Sequence, residues 1–198
     1  MILDLLRHAS TGRHGYLDGR TDPPLLDDAL DPVCRRHSGI GWARVISSPR
    51  RRALDTATAL VAGSDLFCEI HPDWAELDFG DWDGRHFDAI PAEQLAGFYD
   101  EPHAVVPPNG ESWAAFAARI EAQLQRLLDE DADEHAHAGP VLVVSHAGVL
   151  RFALSRICGM PLAATWAVRI DYGTRLRLRM ERGDDGQLWG ELLELRQP

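Results

Sequence analysis

The sequence predicts an α/β fold: a three-layer sandwich in which a mostly parallel central sheet carries helices on both faces. Two observations indicate it. Short apolar runs recur along the chain and helical patterns separate them, which is typical of strand–helix–strand units. Two of the runs, residues 2–6 and 141–145, are apolar almost throughout, as expected of parallel strands buried on both faces.

The elements follow from periodicity and from the residues that end each run. Strands are predicted over residues 2–6, 43–48, 66–71, 141–145, 166–170 and 176–180. Helices are predicted after Pro24 (with Pro32 able to break it), over 53–60, from Glu111 to Leu127, and over 149–157 before Gly159. The alternating Arg and Leu of 176–180 predict a half-exposed edge strand, and the last two strands are expected to form an antiparallel edge.

Residues 76–110 show no clear period and contain Gly, Pro and aromatic side chains. We expect them to form an insertion beside the active site, with one helical turn over 92–99. The acidic connector 129–139 contains His135 and His137, which we expect to be solvated, because no third ligand with matching spacing supports a metal site. The whole chain, 1–198, is predicted to be a single domain.

Composition excludes several partners. The 198 residues include 20 Lys and Arg against 31 Asp and Glu, a net charge of −11. A nucleic-acid-binding protein needs a basic footprint, and an anionic membrane surface would repel this chain. The three widely spaced cysteines are typical of free thiols in a reducing cytoplasm, where we expect the protein. The strand over 176–180 could pair across a homodimer.

Charged side chains follow three of the predicted strands. Arg7 and His8 end the first strand, three arginines at 50–52 follow the second, and His146 follows the strand over 141–145. The carboxyl ends of parallel strands meet at one edge of a sheet, where α/β proteins bind their ligands. The sequence therefore predicts an anion pocket that contains a nucleophile.

A phosphate monoester suits these residue types. Arg7 and one arginine of 50–52 can each form paired hydrogen bonds with its oxygens, and the helix after His146 offers backbone N–H groups. Neutral His8 can attack phosphorus in line and form a phosphohistidine. A protonated His146 would stabilise the developing negative charge. This layout requires no metal and no other cofactor.

The two steps also need a proton donor for the leaving alkoxide and then a base for water, and one carboxylic acid can serve as both. Glu76 is the best candidate because apolar residues surround it in the sequence. Asp78, Asp81 and Asp83 are the neighbouring alternatives.

Four segments resemble the motifs of the histidine phosphatase superfamily, which has the fold of cofactor-dependent phosphoglycerate mutases. They are LRHAST at 6–11, SSPRRRALDTA at 47–57, ELDFGDWDG at 76–84 and VSHAGVLR at 144–151. They occur in the family's order and span nearly the whole chain.

The resemblance implies a phosphoglycerate mutase-like fold and a role for particular residues. It selects Arg52 as the phosphate-binding arginine and Glu76 as the acid and base, with His8 and His146 as the two active-site histidines. It also implies that Thr11 contacts the substrate, together with His14 at the position of the family's Asn.

Within the superfamily, residues 79–86, 108–112 and 159–161 most resemble the alpha-ribazole phosphatases of cobalamin biosynthesis. That implies hydrolysis of the 5′-phosphate of alpha-ribazole phosphate. A phosphoglycerate mutase, a broad-specificity sugar or metabolite phosphatase, and a non-catalytic phosphate-binding module are the alternatives. Four aromatic residues are expected in the core, with stacking on a leaving-group ring as the alternative: Trp82, Phe87, Phe98 and Tyr99.

Overall fold

The computed structural model describes residues 1–101, 104–133 and 139–198. Its strands are β1 (Ile2–Arg7), β2 (Arg44–Ser47), β3 (Cys68–Ile70), β4 (Val141–Ser145), β5 (Arg175–Arg182) and β6 (Leu188–Arg196). Its α-helices are α1 (Leu30–His37), α2 (Arg51–Leu60), α3 (Ala92–Asp100), α4 (Trp113–Asp133) and α5 (Ala147–Cys158). The segment with His135 and His137 lies outside the described residues.

The strands form one six-stranded sheet in the order β3-β2-β4-β1-β5-β6. The first four strands in this order are parallel, and β5 and β6 are antiparallel to their neighbours. The predicted mixed α/β sheet is therefore confirmed. The parallel part matters for function, because the carboxyl ends of β1, β2 and β4 lie at the same edge.

Helices cover both faces of the sheet, and the alternation of side chains along β1 and β4 shows it directly. Leu3 and Leu5 belong to the core cluster that includes residues of α4 and α5, whereas Leu6 belongs to the cluster with residues of α1 and α2. Successive residues of a strand face opposite sides, so a strand covered on both sides is apolar except where a polar side chain has a buried partner, as Asp4 does. This explains why these two runs lack the usual polar alternation.

The prediction for the end of the chain is partly wrong. Residues 166–170 form no strand; Leu162–Ala167 is a 3-10 helix. The Arg/Leu strand β5 is not an edge, since it lies between β1 and β6. Its leucines are fully buried, and Arg175 and Arg177 donate to the buried carboxylate of Asp4. Because Asp4 pairs with it, Arg175 is buried, whereas the Arg177 side chain stays 28% exposed.

The helix predicted directly after Pro24 begins only at Leu30, so that prediction is wrong for residues 25–29. This helix, α1, runs through Pro32, which lies in its first turn, where the missing N–H costs no hydrogen bond. Helix α3 has nine residues rather than a single turn, and α5 ends, as predicted, at Gly159 in the left-handed conformation. Within the described ranges, no helix is both long and apolar enough to cross a membrane.

Candidate active site

A cavity of about 340 Å³ opens at the carboxyl edge of the parallel strands. The loops after β1 and β4, helix α2 and segment 76–110 all contribute to its walls. Six of the seven predicted site residues line it: Arg7, His8, Thr11, Arg52, Glu76 and His146. The cavity therefore lies where the ends of the parallel strands meet, as the sequence predicts.

His8 is buried and has a defined tautomer. Its Nδ1 lies 2.8 Å from the Ala9 carbonyl oxygen, which can only accept, so Nδ1 carries the hydrogen. Its Nε2 accepts from Nε of Arg52 at 3.2 Å. Burial, together with the positive charges of Arg7 and Arg52, lowers the pKa of His8 well below its usual value. The imidazole is therefore neutral at pH 7, with a lone pair on Nε2.

Arg52 lies between the two histidines. It is the second residue of α2, and only 2% of it is exposed, whereas the side chain of Arg51 is 77% exposed. Its Nη2 is 3.3 Å from Nδ1 of His146 and donates to the Asp18 carbonyl at 2.7 Å. One guanidinium thus touches both imidazoles, because the start of α2 turns this arginine alone towards the cavity.

His146 is also held neutral. Its Nδ1 accepts from Arg52, so its Nε2 carries the hydrogen and donates to Oγ of Ser48 at 2.7 Å. Burial, followed by the charge of Arg52, lowers the pKa of His146 well below its usual value. The charge that a protonated His146 would supply is therefore absent in these surroundings. A phosphate dianion placed among these cations would raise the pKa again.

Arg7 and Thr11 are organised by Tyr172. The guanidinium of Arg7 stacks on the Tyr172 ring at 3.9 Å and donates to the Ile170 carbonyl at 2.8 Å. Thr11 donates its hydroxyl hydrogen to the Tyr172 hydroxyl at 3.1 Å. Tyr172 holds both side chains at the cavity wall, and nothing in the sequence around it indicates that role.

Glu76 is fixed at the cavity by two backbone amides. Its Oε2 accepts from the Gly148 N–H and its Oε1 from the Leu77 N–H, both at 3.0 Å. Gly148 is the second residue of α5, so the first turn of this helix holds the Glu76 carboxyl group in place. The expectation that this helix end offers its N–H groups to the phosphate is thus wrong for Gly148, whose amide binds Glu76.

Asp18 is the other carboxylate at the cavity, and both of its oxygens bond to Arg13. The alternatives to Glu76 do not line the cavity. Asp78 pairs with Arg20, and Asp81 accepts from Asn109. Asp83 bonds to a neighbouring loop through both oxygens.

His14 does not reach the site. It is exposed, contacts the edge of the Tyr172 ring at a centroid distance of 5.3 Å, and is absent from the cavity wall. The prediction that it contacts substrate has no support in this geometry.

The outer part of the cavity is aromatic. Trp82 and Phe98 are buried, as predicted for the core, and Phe98 also lines the cavity. Phe87 and Tyr99 line the cavity as well, and Phe87 is 41% exposed. Other aromatic residues outside the predicted set also line the cavity, among them Tyr16 and Trp166.

Arginines support these two rings. The Arg13 guanidinium lies 3.8 Å from the Tyr16 centroid, and that of Arg151 lies 4.2 Å from the Trp166 centroid. Among the residues with described positions, no group of three or more His, Cys, Asp or Glu side chains could hold a metal ion.

Comparison with known proteins agrees with this geometry. A model of the histidine phosphatase superfamily (branch 1) matches residues 3–189. The adenosylcobalamin/alpha-ribazole phosphatase of Escherichia coli K12 is 33% identical over 181 residues, 87% of each chain. A glucosyl-3-phosphoglycerate phosphatase of Mycolicibacterium vanbaalenii is 33% identical over 175 residues, covering 81% of this chain and 75% of the relative.

Solved structures show the same relationship. The crystal structure of the alpha-ribazole phosphatase from Shigella flexneri superposes with a TM-score of 0.78 at 28% identity, covering 98% of this chain and 96% of that one. A mycobacterial glucosyl-3-phosphoglycerate phosphatase superposes with a TM-score of 0.80 at 24% identity over 96% of each chain, which shows the shared fold. The chain therefore belongs to the histidine phosphatase superfamily and is a phosphatase.

Proposed function

We propose that this chain hydrolyses alpha-ribazole 5′-phosphate through a phosphohistidine formed on His8. The observation that carries the chemistry is the contact between a neutral His8 and Arg52 in one buried site. The lone pair on Nε2 supplies a nucleophile, and the guanidinium supplies the charge that holds a phosphate next to it.

In the first step, Nε2 of His8 attacks phosphorus and the ester P–O bond breaks. The phosphate oxygens lie among the cations Arg7 and Arg52, which balance their charge and orient them. Glu76, in its acid form, gives its proton to the departing alkoxide. Because Gly148 and Leu77 fix the Glu76 carboxyl group, it faces the cavity throughout.

In the second step, water attacks phosphorus and the P–N bond breaks. The Glu76 carboxylate takes the proton of that water, which restores its acid form, and inorganic phosphate leaves. His146 donates through Nε2 to Ser48 and can become a cation only when the phosphate charge raises its pKa. Its positive charge then appears together with the negative charge that it stabilises.

The substrate assignment rests on two independent points. Relatives that are 33% identical over 87% of this chain are named adenosylcobalamin/alpha-ribazole phosphatases. The cavity beyond Glu76 has aromatic walls that include the part-exposed rings of Phe87 and Trp166. Flat apolar leaving groups, of which the alpha-ribazole base is one, suit such walls through stacking.

A sugar or metabolite phosphatase is the second candidate, because a glucosyl-3-phosphoglycerate phosphatase is equally identical over a slightly shorter range. The test compares kcat/KM for alpha-ribazole 5′-phosphate, glucosyl-3-phosphoglycerate and ribose 5-phosphate, with chelator present. We expect alpha-ribazole 5′-phosphate to be preferred. Ribose 5-phosphate lacks the aromatic base, so the difference between the two kcat/KM values measures what that base contributes. Equal values for these two would contradict the assignment.

The same assay separates the remaining alternatives. Transfer of phosphate to a second position of phosphoglycerate, in place of release, would favour a mutase. Phosphate binding without turnover of any ester would favour a non-catalytic module.

We further propose that residues 1–198 act as one catalytic domain in the cytoplasm and that the protein forms a homodimer. Gel filtration with light scattering tests the homodimer.

A further inference from the structure

The guanidinium of Arg52 is oriented by main-chain carbonyl groups as well as by the histidines. Nη1 donates to the Thr21 carbonyl at 2.8 Å, and Nη2 donates to the Asp18 carbonyl at 2.7 Å. Asp22 adds a carboxylate contact to Nη1 at 3.0 Å. Because these acceptors lie on one loop, the direction of the Arg52 fork depends on where loop 18–22 sits.

The carboxylate of Asp83 holds the middle of loop 18–22, whose ends are also tied by Arg13 to Asp18 and by the Arg51 N–H to Asp22. Asp83 accepts from three successive backbone amides: Gly19 at 3.1 Å and Arg20 at 2.6 Å through Oδ2, and Thr21 at 2.7 Å through Oδ1. Burial alone would raise the pKa of Asp83, but these amides and the Thr21 hydroxyl lower it, so the group is ionised at neutral pH.

Two glycines bring the loop and segment 76–84 into close contact. A Cβ on Gly19 would lie 2.1 Å from the Leu77 carbonyl oxygen, and a Cβ on Gly84 would lie 2.8 Å from Oγ1 of Thr21. The residue after Glu76 and the residue after Asp83 therefore both touch this loop. A shift of the loop would move the Arg52 acceptors relative to the Glu76 side of the cavity.

We propose that Asp83 is a positioning residue for phosphoryl transfer: its carboxylate fixes loop 18–22, whose carbonyls hold the Arg52 guanidinium against His8 and His146. The inference rests on the proposed function. Asp83 touches neither the cavity nor Arg52, so its effect passes through the loop. In the alternative, Asp83 stabilises the fold and does not affect the orientation of Arg52.

A double-mutant cycle separates the two roles. Asp83→Asn has the same size but loses the charge and one acceptor oxygen, and Asp81→Asn, two residues away on an exposed side chain, is the matched control. Each is made with Arg52 intact and with Arg52→Lys, which lacks the forked Nη groups. The readouts are kcat/KM for p-nitrophenyl phosphate, the inhibition constant of inorganic phosphate, and the free energy of unfolding.

We expect Asp83→Asn to lower kcat/KM and weaken phosphate binding by roughly 10- to 100-fold with Arg52 intact, since small misplacements at a site have effects of this size. With Arg52→Lys we expect less than about a twofold further change, because the group that Asp83 positions is gone. Asp81→Asn should leave both constants unchanged.

Equal losses in the two backgrounds, or an effect of Asp83→Asn no larger than that of the control, would overturn the inference. Wild-type activity in Arg52→Lys would contradict the proposed function as well, so the two failures are distinguishable. If Asp83→Asn does not fold, Thr21→Val removes only the hydroxyl bond to Asp83 and should show a smaller loss with the same dependence on Arg52.

Discussion

Gly148 lies where an added methyl group would displace the proposed acid without damaging the fold. A Cβ at this position would lie 2.2 Å from Oε1 of Glu76, about 1.2 Å short of the 3.4 Å at which ordinary contact begins. The neighbour is the end of a flexible side chain, so Glu76 can rotate away. We therefore expect Gly148→Ala to fold and to move the carboxyl group by about 1 Å.

The magnitude follows from that displacement. A misplacement of about 1 Å can lower a rate by about 100-fold, equivalent to about 2.7 kcal/mol in the barrier. Alanine is favoured over glycine in a helix by up to about 1 kcal/mol, which offsets part of the cost of weakening the two hydrogen bonds to Glu76, about 1 kcal/mol each. Gly148→Ala should thus lose little stability and much activity.

The assay compares two leaving groups. An alkyl phosphate needs a proton on its departing oxygen, whereas p-nitrophenolate leaves without one. The kcat/KM for the alkyl ester should fall by about 100-fold and that for p-nitrophenyl phosphate by less than about fivefold, within the range of general acid catalysis. This constant is insensitive to the later hydrolysis of a phosphoenzyme.

Gly41→Ala is the matched control, since a Cβ there meets nothing within 4 Å and the backbone is not left-handed. It should leave both constants unchanged. Equal losses for the two esters in Gly148→Ala would refute the role of Glu76 as the acid. Full activity of Gly148→Ala towards the alkyl ester would refute the expectation that this substitution displaces the Glu76 carboxyl group from its catalytic position.

Trp166→Ala should lower kcat/KM for alpha-ribazole 5′-phosphate about tenfold relative to ribose 5-phosphate, because one aromatic contact contributes about that much. The control is Trp189→Ala, a similarly exposed tryptophan on β6, which should not change this ratio. An equal loss for both esters in Trp166→Ala would argue against stacking. His14→Ala should keep kcat/KM within about twofold, because His14 lies off the cavity. Burial, followed by the nearby Arg175, lowers the pKa of His37 to about 4. The unfolded state therefore binds an additional proton below about pH 6.5. The free energy of unfolding should decrease as the pH falls, by about 1 kcal/mol between pH 7 and pH 5.5. Urea unfolding of His37→Gln should lack that part, and an unchanged pH dependence would contradict it.

The sequence predicts the centre of the site well, because strand ends in a parallel sheet converge regardless of the details. Arg7, His8 and His146 follow from this alone. Arg52 does not: the strand ends leave three arginines equivalent, and only the family resemblance selects one before the start of α2 shows which turns inwards. Glu76 is likewise favoured by its apolar neighbours and by the resemblance, and contacts distant in the chain then show that its acidic neighbours lie off the cavity.

Strand β6 was not predicted, and its pairing explains why. The register with β5 shifts between Arg177 and Leu178, so one residue of β6, Leu193, has no partner, and the apolar alternation is interrupted. The edge assignment of β5 failed for another reason. Its arginines pair with Asp4, about 170 residues away, and no local pattern reveals a buried partner at that distance.

The proposed mechanism requires a covalent bond between phosphorus and Nε2 of His8. Rapid mixing with a ³²P-labelled phosphate ester, followed by an alkaline quench and peptide mapping, measures it directly. We predict a burst of acid-labile label on the peptide with His8, and none in His8→Ala, which should also lose turnover. Steady turnover with no labelled protein, or label on His8→Ala, would contradict it.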